Sequence, residues 1–450
     1  MIPVQIGGTI TTLASPSRDG VSRLCICTLF TLLALFSLSC SAERRGYATK
    51  GNRPVIALRV YSWDNEYAIT AATESFNKVH KEIHAELVTI PWKEYQNRLF
   101  VALTSGEDID VYFMREVETF AGYVKKGLAY PLDDLIAKHG IDLGIYGTYA
   151  QQIRSGGRVF ALPYRGAGFY LYYNVDAFRL AGIALPDGRW TWAKYRQVAK
   201  ALTSGAGARK RFGSFMEPSF YYLPLIPALQ AGVRIVDDDF HTDLGNPAVR
   251  RALLFYRALV DDGSQPTLAY MKANNLTTTS AFVSGEAAMV MAGDFFVGRL
   301  NSVRRAGELP FPWGMTRIPC DRTMYADLGL ATTGCVNADS RKIGAAFTYL
   351  SWIAGIEGQK VIAAAGSKPA IITPETEDIL AERMGLDADE RSVFFEIPPK
   401  IVNEPINLGA TYAKQILDEE LTAFFTGSKG IDDTISESIV RLDAALAEFR

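Results

Sequence analysis

Histidine and cysteine are scarce in this chain of 450 residues, which contains four His and five Cys. Metal sites need such side chains close together, and only His80 and His84 have a spacing typical of ligands. We expect these two at the surface end of a helix, and therefore no metal and no cofactor. The sequence also lacks a Gly-Lys-Ser loop, a Gly-x-Ser-x-Gly elbow and a dinucleotide fingerprint, so nothing indicates nucleotide-dependent or serine-hydrolase chemistry.

An excess of charge of either sign is also missing. The 47 Lys and Arg residues are balanced by 49 Asp and Glu residues, which gives a formal net charge of -2. A nucleic-acid partner is excluded on this ground, because such proteins carry a basic face. No apolar run after position 45 is long enough to cross a bilayer. The length is ample for two lobes with separate cores.

The N-terminus has the pattern of an export signal. Arg18 and Arg23 precede an apolar run from Leu24 to Leu38, which ends in small residues and Cys40. A charged segment, an apolar segment and a small-residue exit predict a secretory signal peptide over residues 1–40.

The end of this leader, from Ser37 to Cys40, resembles a bacterial lipobox, in which the Cys is lipidated after cleavage. Ser37 departs from the pattern, because Leu is preferred there. The alternatives are an ordinary signal peptide and an uncleaved anchor. Residues 41–53 are polar and unpatterned, as expected of a tether.

The remaining cysteines agree with export. Cys25 and Cys27 lie in the leader, whereas Cys320 and Cys335 form an even pair after it. A bond between the last two would close a loop of about 15 residues and stabilise the fold by about 3 kcal/mol. The alternative is a pair of buried thiols without a bond.

Strands and helices alternate after the tether. Short β-rich runs at Val55 to Val60, Glu86 to Ile90 and Ile109 to Phe113 are separated by helical patterns at Ala68 to His80 and Tyr95 to Thr104. This alternation predicts an α/β fold with a parallel sheet. Ligands bind beyond the carboxyl ends of such strands.

The second half of the chain is richer in helix. The patterns predict helices from Trp192 to Leu202, from Pro247 to Val260 behind an Asn246 cap, from Lys342 to Ala354 and from Ile431 to Phe449. From Trp313 to Cys335 the chain is strand-like again.

Two β-rich runs, Val159 to Tyr164 and Tyr170 to Asn174, lie on either side of an Arg-Gly-Ala-Gly spacer at Arg165 to Gly168. This pattern is typical of a strand that leaves one lobe and enters another. Tyr170, Tyr172 and Tyr173 cannot all face one side of a strand, so at least one of them should pack in a core.

Several segments occur in the order found in a known family. They are Phe76 with Lys78, Gly127 to Leu135, the two runs around Arg165, Phe282 to Met289, Gly293 to Phe296 and Asp339 to Lys342. Together they resemble extracellular solute-binding protein family 1, the maltose-binding-protein-like sugar-binding lipoproteins of ABC importers. The resemblance covers about residues 55 to 445.

The resemblance implies a fold and its boundaries. The fold is α/β and two-lobed, a periplasmic-binding-protein fold of type II with discontinuous lobes joined by hinge strands. Lobe 1 would comprise residues 54–166 and 318–372, and lobe 2 residues 167–317 and 373–450. Closure of the lobes around a ligand is a hinge motion.

The implied function is capture of a sugar or oligosaccharide and its delivery to an ABC permease, without catalysis. The partners would be a small-molecule carbohydrate and the permease transmembrane subunits. The protein would be a monomer in the periplasm or cell envelope, anchored to the membrane through lipidated Cys40. Acidic sugars, polyol phosphates and other solutes stay open as ligands.

Two other functions stay open. One is a cleft glycoside hydrolase, in which Asp64 or Glu66 would be paired with Glu217 at about 5 to 10 Å. The other is a sensory partner that presents ligand to a membrane receptor.

Carbohydrate recognition needs flat aromatic faces and planar polar groups, which indicates candidates at the predicted strand ends, the crossover and two turns. The candidate ligand residues are Trp63, Asp64, Glu66, Phe113, Arg115, Tyr164, Arg165, Glu217, Tyr221, Tyr222, Asp294, Phe295 and Asp327. We expect Trp63 in an exposed loop and Tyr164 with Arg165 at the floor of the cleft. Asp327 stands where the family commonly has Gly-Gly, which puts its role in doubt.

Overall fold

A computed structural model describes most of the chain after position 53. The described residues are 54–63, 66–114, 119–218, 222–237, 239–321, 326–395, 400–402, 408–447 and 450. The predicted leader, Cys40 and the tether lie outside them. Residues Ile56–Arg450 form one compact unit. In this described part, no helix has both the length and the apolar character that a bilayer span requires.

Ten strands lie within the described residues, and the first three alternate with helices, as predicted. They are β1 Ile56–Trp63, β2 Ile83–Ile90, β3 Val111–Met114, β4 Arg154–Ser155, β5 Arg158–Val159, β6 Leu162–Asn174, β7 Met289–Gly293, β8 Trp313–Arg317, β9 Ala326–Val336 and β10 Lys400–Val402. The main sheet runs in the order β2-β1-β3-β9-β6-β7, with β10 beside β9 and β8 beside β6. β1 pairs with β2 and β3 in parallel, whereas β9 runs antiparallel to both β3 and β6.

Helices occur in both halves of the chain. In the first half they are Tyr67–Val79, Tyr95–Thr104, Phe120–Lys125, Asp133–His139, Val175–Leu180 and Trp192–Leu202, with 3-10 segments at Leu143–Gln151 and Gly207–Arg209. In the second half they are Tyr222–Gln230, Pro247–Asp261, Leu268–Ala273, Thr278–Val283, Phe295–Arg305, Ile343–Ala354, Ile356–Ala364, Pro374–Met384, Ala388–Phe395, Leu408–Phe425 and Ile431–Leu446.

Local sequence signals fix several of these boundaries. The predicted Asn246 cap is confirmed, since its side-chain oxygen accepts a hydrogen bond from the Ala248 amide at 3.0 Å. Thr191 caps the helix Trp192–Leu202 in the same way through the Lys194 amide. The bounds of that helix and of Tyr95–Thr104 are as predicted.

The core is divided in a way that agrees with two lobes. One apolar cluster is built from residues 58–164 and 331–371. Two further clusters are built from residues after position 168 and include the helix Leu408–Phe425. The lobe boundaries inferred from the sequence remain predictions.

Candidate functional site

The crossover between the two halves is one continuous strand. The first part of β6, Leu162 to Gly168, pairs with β9, and its second part, from Phe169 on, pairs with β7 and β8. The predicted spacer at Arg165 to Gly168 therefore lies inside the strand and does not separate two strands. Beyond it the side chains alternate, with Tyr173 in one core cluster and Tyr170 and Tyr172 in another, so all three tyrosines are buried.

A β-bulge interrupts this strand at Tyr164. Pro163 pairs with Thr333 and Arg165 pairs with Thr332, so one extra residue, Tyr164, stands in β6 between them. A bulge changes the direction of the side chains around it. Tyr164 and Arg165, which a regular strand would point to opposite faces, both lie beside Glu66.

Three charged side chains meet at the crossover. The Nη2 atom of Arg165 lies 3.6 Å from the carboxylate of Glu66, which precedes the helix Tyr67–Val79. The same nitrogen donates to the Thr332 hydroxyl at 3.4 Å. Asp294, at the end of β7, interacts electrostatically with Arg165 from the other half of the molecule. Glu66, Arg165 and Asp294, here called the crossover triad, are largely buried.

The triad holds two acids against one base, and this affects their protonation. Burial raises the pKa of Glu66, against the opposing effect of Arg165. Burial also raises the pKa of Asp294 to about 6, although Arg165, Lys368 and the Phe295 amide favour its charged form. Burial alone would lower the pKa of Arg165, but the negative charge of Glu66 raises it, so the guanidinium stays charged.

Several polar atoms of this region make no well-formed hydrogen bond among the described residues. They are both carboxylate oxygens of Asp294, Nε of Arg165 and the hydroxyls of Tyr164 and Thr333, all of them buried. Buried polar groups are normally paired, because an unpaired one costs about 1–3 kcal/mol. Donors and acceptors without partners, held side by side, are what a ligand rich in hydroxyl groups would complete.

Two of the predicted aromatic residues are buried in the core. Trp63 is 4% exposed at the end of β1 and packs edge-on against Tyr95, so the expected exposed loop is wrong. The strand continues three residues beyond the predicted run and carries Trp63 into the core. Phe113 is also fully buried and packs edge-on against Tyr164.

Two other predicted aromatic residues lie in the second half. Phe295, next to Asp294, is 53% exposed. A Cβ atom added to Gly293 would lie 2.4 Å from the Phe295 ring, so the ring covers the backbone at the end of β7. Tyr222 is buried and packs edge-on against Phe169, just past the crossover.

Glu217 has a structural partner. Its Oε2 atom accepts hydrogen bonds from the amide of Thr278 at 3.1 Å and from its hydroxyl at 2.8 Å. Glu217 thus caps the helix Thr278–Val283, while Glu66 is paired with Arg165. Asp64, Arg115 and Tyr221 lie outside the described residues, and of Asp327 the structure describes only the backbone, which pairs with Ile401.

The structure adds residues that the sequence analysis missed. Lys368 donates to the Tyr170 hydroxyl at 2.9 Å and to the Phe394 carbonyl at 2.8 Å, and its charge acts on Asp294. Tyr149 lies against the backbone of Gly166, where an added Cβ would be 2.6 Å from its hydroxyl. No motif surrounds either residue, although the Gly-Ser-Lys-Pro segment ending at Pro369 is a turn signal.

Of the two possibilities left open for the cysteine pair, the structure shows the free thiols. Cys320 and Cys335 are both buried and are not bonded to each other. Cys335 lies in β9 opposite Tyr112, whereas Cys320 follows β8, where its amide donates to the Trp190 carbonyl. The sequence left the bond open because the number of intervening residues does not determine where two side chains point.

The family profile described as bacterial extracellular solute-binding protein matches residues 59–360. A candidate binding protein of Brucella abortus (strain 2308) is 24% identical over 260 residues, which cover 55% of this chain and 60% of that relative. The chain thus spans about three fifths of the length of this relative.

Solved structures confirm the predicted two-lobed α/β fold. A sugar transporter from Rhizobium etli in an open conformation has a TM-score of 0.75 and 25% identity, and the match covers 87% of this chain and 100% of that one. An ABC substrate-binding protein from Listeria monocytogenes in complex with cycloalternan has a TM-score of 0.76 and 21% identity, covering 87% and 99%.

Proposed function

Because the chain belongs to the family of bacterial extracellular solute-binding proteins, we propose that it captures a sugar or oligosaccharide between its lobes and delivers it to an ABC permease. The family is one of binding proteins and not of enzymes, which favours a carrier over the glycoside hydrolase considered above. The Rhizobium protein is named as a sugar transporter and the Listeria protein binds an oligosaccharide, and both support this choice of ligand.

The observation that carries the proposal is the set of unpaired polar atoms at the crossover triad. Asp294 offers two acceptors, and Arg165 offers a donor at Nε, in a buried place that both halves of the chain reach. A sugar hydroxyl both donates and accepts, so adjacent hydroxyls can bridge such a pair. Opening and closing of the lobes would admit the ligand, as in other hinge proteins.

The residues proposed to contact the ligand follow from their positions. Glu66, Arg165 and Asp294 would bind hydroxyl groups, together with the hydroxyl of Tyr164. Phe295, the exposed aromatic beside the triad, would stack on the apolar face of a sugar ring.

The remaining candidate residues have other proposed roles. Trp63 and Phe113 would support the site from the core, whereas Tyr222 and Glu217 would shape its second-half wall. Asp64, Arg115, Tyr221 and Asp327 remain proposed contacts on the sequence alone.

We also propose that the protein acts in the cell envelope. A leader over residues 1–40 would export the protein to the periplasm or cell envelope, and lipidation of Cys40 would anchor it there as a monomer beside the permease. Radiolabelled palmitate should be incorporated into the wild type and not into a Cys40→Ala variant. A pull-down that recovered a receptor instead of permease subunits would favour the sensory alternative.

The experiment that tests ligand capture is a thermal-shift screen followed by calorimetry. We expect maltotriose, mannotriose or another neutral oligosaccharide to raise the melting temperature, while uronates, polyol phosphates and polyamines serve as competing classes. Stabilisation by a metal or a polyamine alone would contradict the sugar proposal. Products released from the bound oligosaccharide would contradict the carrier function.

A further inference from the structure

Three segments of the chain pass near the crossover, and two buried glutamines hold all of them. The segments are β6 at Tyr164, β9 at Gly329 to Ala331, and the stretch Lys368 to Ile371 that follows the helix Ile356–Ala364. They also pair with one another, because the Gly166 amide donates to the Lys368 carbonyl at 3.1 Å.

Gln359 is fully buried and uses both ends of its amide group. Its Nε2 donates to the carbonyl of Tyr164 at 2.8 Å and to that of Ile353 at 3.1 Å. Its Oε1 accepts from the amides of Ala370 at 2.6 Å and Ile371 at 3.1 Å. All four hydrogen-bonding positions of the side chain are therefore filled.

The bond to Tyr164 is made at the bulge itself. The extra residue of a bulge is left out of the ladder, so its carbonyl needs another partner if it is buried. Gln359 supplies that partner and ties the bulge to the third segment at Ala370 and Ile371.

Gln152 holds the second segment in a similar manner. Its side chain is 5% exposed, accepts from the Ala331 amide at 2.7 Å and donates to the Gly329 carbonyl at 3.4 Å. Gln152 and Gln359 both sit in the half that contains the first apolar cluster, so all three segments are fastened on that side.

We propose that Gln359 is a positioning residue for ligand binding. By fixing the bulge, Gln359 directs Tyr164 and Arg165 toward the ligand. Gln359 and Gln152 together fasten the three segments to the half that contains the first apolar cluster, so the lobes would pivot where the segments leave that half. The inference rests on the proposed function, but its backbone consequence can be measured without any ligand.

The test compares Gln359→Met with Gln265→Met in the full chain. Gln265 is a matched control, because it is also buried and makes four hydrogen bonds, to Ser214, Met216 and Tyr256. Both variants lose buried hydrogen bonds, so their melting temperatures should fall to a similar extent.

Hydrogen exchange read by mass spectrometry is the first measurement. In Gln359→Met, peptides that contain Arg165 and Gly166 and those that contain Ala370 and Ile371 should exchange at least about tenfold faster, as local opening becomes easier. Gln265→Met should leave these peptides unchanged. Unchanged exchange at Arg165 and Gly166, or faster exchange spread evenly over the molecule, would overturn the proposal.

Calorimetry with the best-binding sugar is the second measurement. Gln359→Met should bind at least about tenfold more weakly, the loss that about 1.4 kcal/mol represents, while Gln265→Met stays within about twofold. Equal losses in the two variants would also overturn the proposal. If no sugar binds the wild type, the proposed function fails, and exchange alone decides this inference. If Gln359→Met does not fold, Gln152→Met is measured instead at the peptide containing Ala331.

Discussion

Arg165 and Glu66, 99 positions apart in the sequence, lie with their charged groups 3.6 Å apart at the crossover. The pair is sheltered from water, since Glu66 is 5% exposed and the Arg165 side chain 17%. Removing one partner of a buried pair is costly, because the remaining charge stays buried without compensation.

Replacing Arg165 by Met should therefore abolish sugar binding and lower the free energy of unfolding by about 3–5 kcal/mol. Glu66 and Asp294 would then repel each other without the guanidinium that now neutralises them, so part of the lost stability should return as pH is lowered. Urea unfolding and calorimetry measure the two effects. The matched control is Arg158→Met, whose ion pair with Asp133 is exposed and should contribute about 1 kcal/mol or less. Unimpaired binding by Arg165→Met would exclude it from the site.

Asp294 should make the ligand-free protein more stable in mild acid. Its pKa is raised to about 6 by burial, against about 4 in an unfolded chain. Between these values the folded protein binds more protons, so the free energy of unfolding contributed by Asp294 decreases as pH rises. The penalty is absent below about pH 4 and complete above about pH 6.

Asp294→Asn should remove this pH dependence and stabilise the ligand-free protein at neutral pH by at most about 3 kcal/mol, because one pKa unit corresponds to about 1.4 kcal/mol. The same variant should bind sugar poorly, since one acceptor becomes a donor. Unfolding curves at several pH values provide the measurement. An unchanged slope between about pH 4 and pH 6 would show that Asp294 is not the titrating group.

Phe295→Ala should weaken sugar binding by several-fold to about tenfold, as expected for one stacking aromatic worth about 0.5–1.5 kcal/mol. The ring is half exposed, so the free energy of unfolding should change by about 0.5 kcal/mol or less. Leu180→Ala, at a residue 90% exposed, is the control for loss of a surface apolar group. If both variants bind equally well, the stacking role is wrong.

Trp63→Ala should act on stability and only secondarily on binding. The indole is buried against Tyr95, and truncation of a buried Trp costs about 3–5 kcal/mol. Chemical denaturation tests this directly. A variant that keeps its stability but loses sugar affinity would show that Trp63 contacts the ligand.

Tyr164→Phe removes only a hydroxyl that lacks a well-formed hydrogen bond among the described residues. The unfolding free energy should therefore stay within about 0.5 kcal/mol of the wild type. Sugar affinity should fall by roughly tenfold if this hydroxyl binds the ligand, the effect of about 1.4 kcal/mol. Calorimetry on the folded variant separates the two contributions, and an unchanged affinity would assign Tyr164 to packing alone.

The periodic spacing of apolar residues predicts many of the helices and strands. The helices Tyr95–Thr104 and Trp192–Leu202 are recognisable because their apolar residues recur on one face. The two-lobed architecture came from the family resemblance and is confirmed by the solved structures.

Site residues could be predicted only where they flank a crossover or a turn that is visible in the sequence. Arg165 and Asp294 were expected near the cleft because they flank a crossover and a turn. The bulge at Tyr164 could not be foreseen, because a bulge is a property of pairing with β9. Lys368 was missed for a related reason, since it reaches Tyr170 and Phe394 only through tertiary packing.

The sharing of β6 between two sets of strands has a consequence for how the molecule denatures. Its first part is hydrogen-bonded to β9 and its second part to β7 and β8. Unfolding of either set of strands therefore leaves part of β6 without its hydrogen-bonded neighbours. Two lobes with separate cores and no shared element would melt one after the other. A single strand common to both couples their denaturation, and one transition seen by all spectroscopic probes is the behaviour that this connectivity favours.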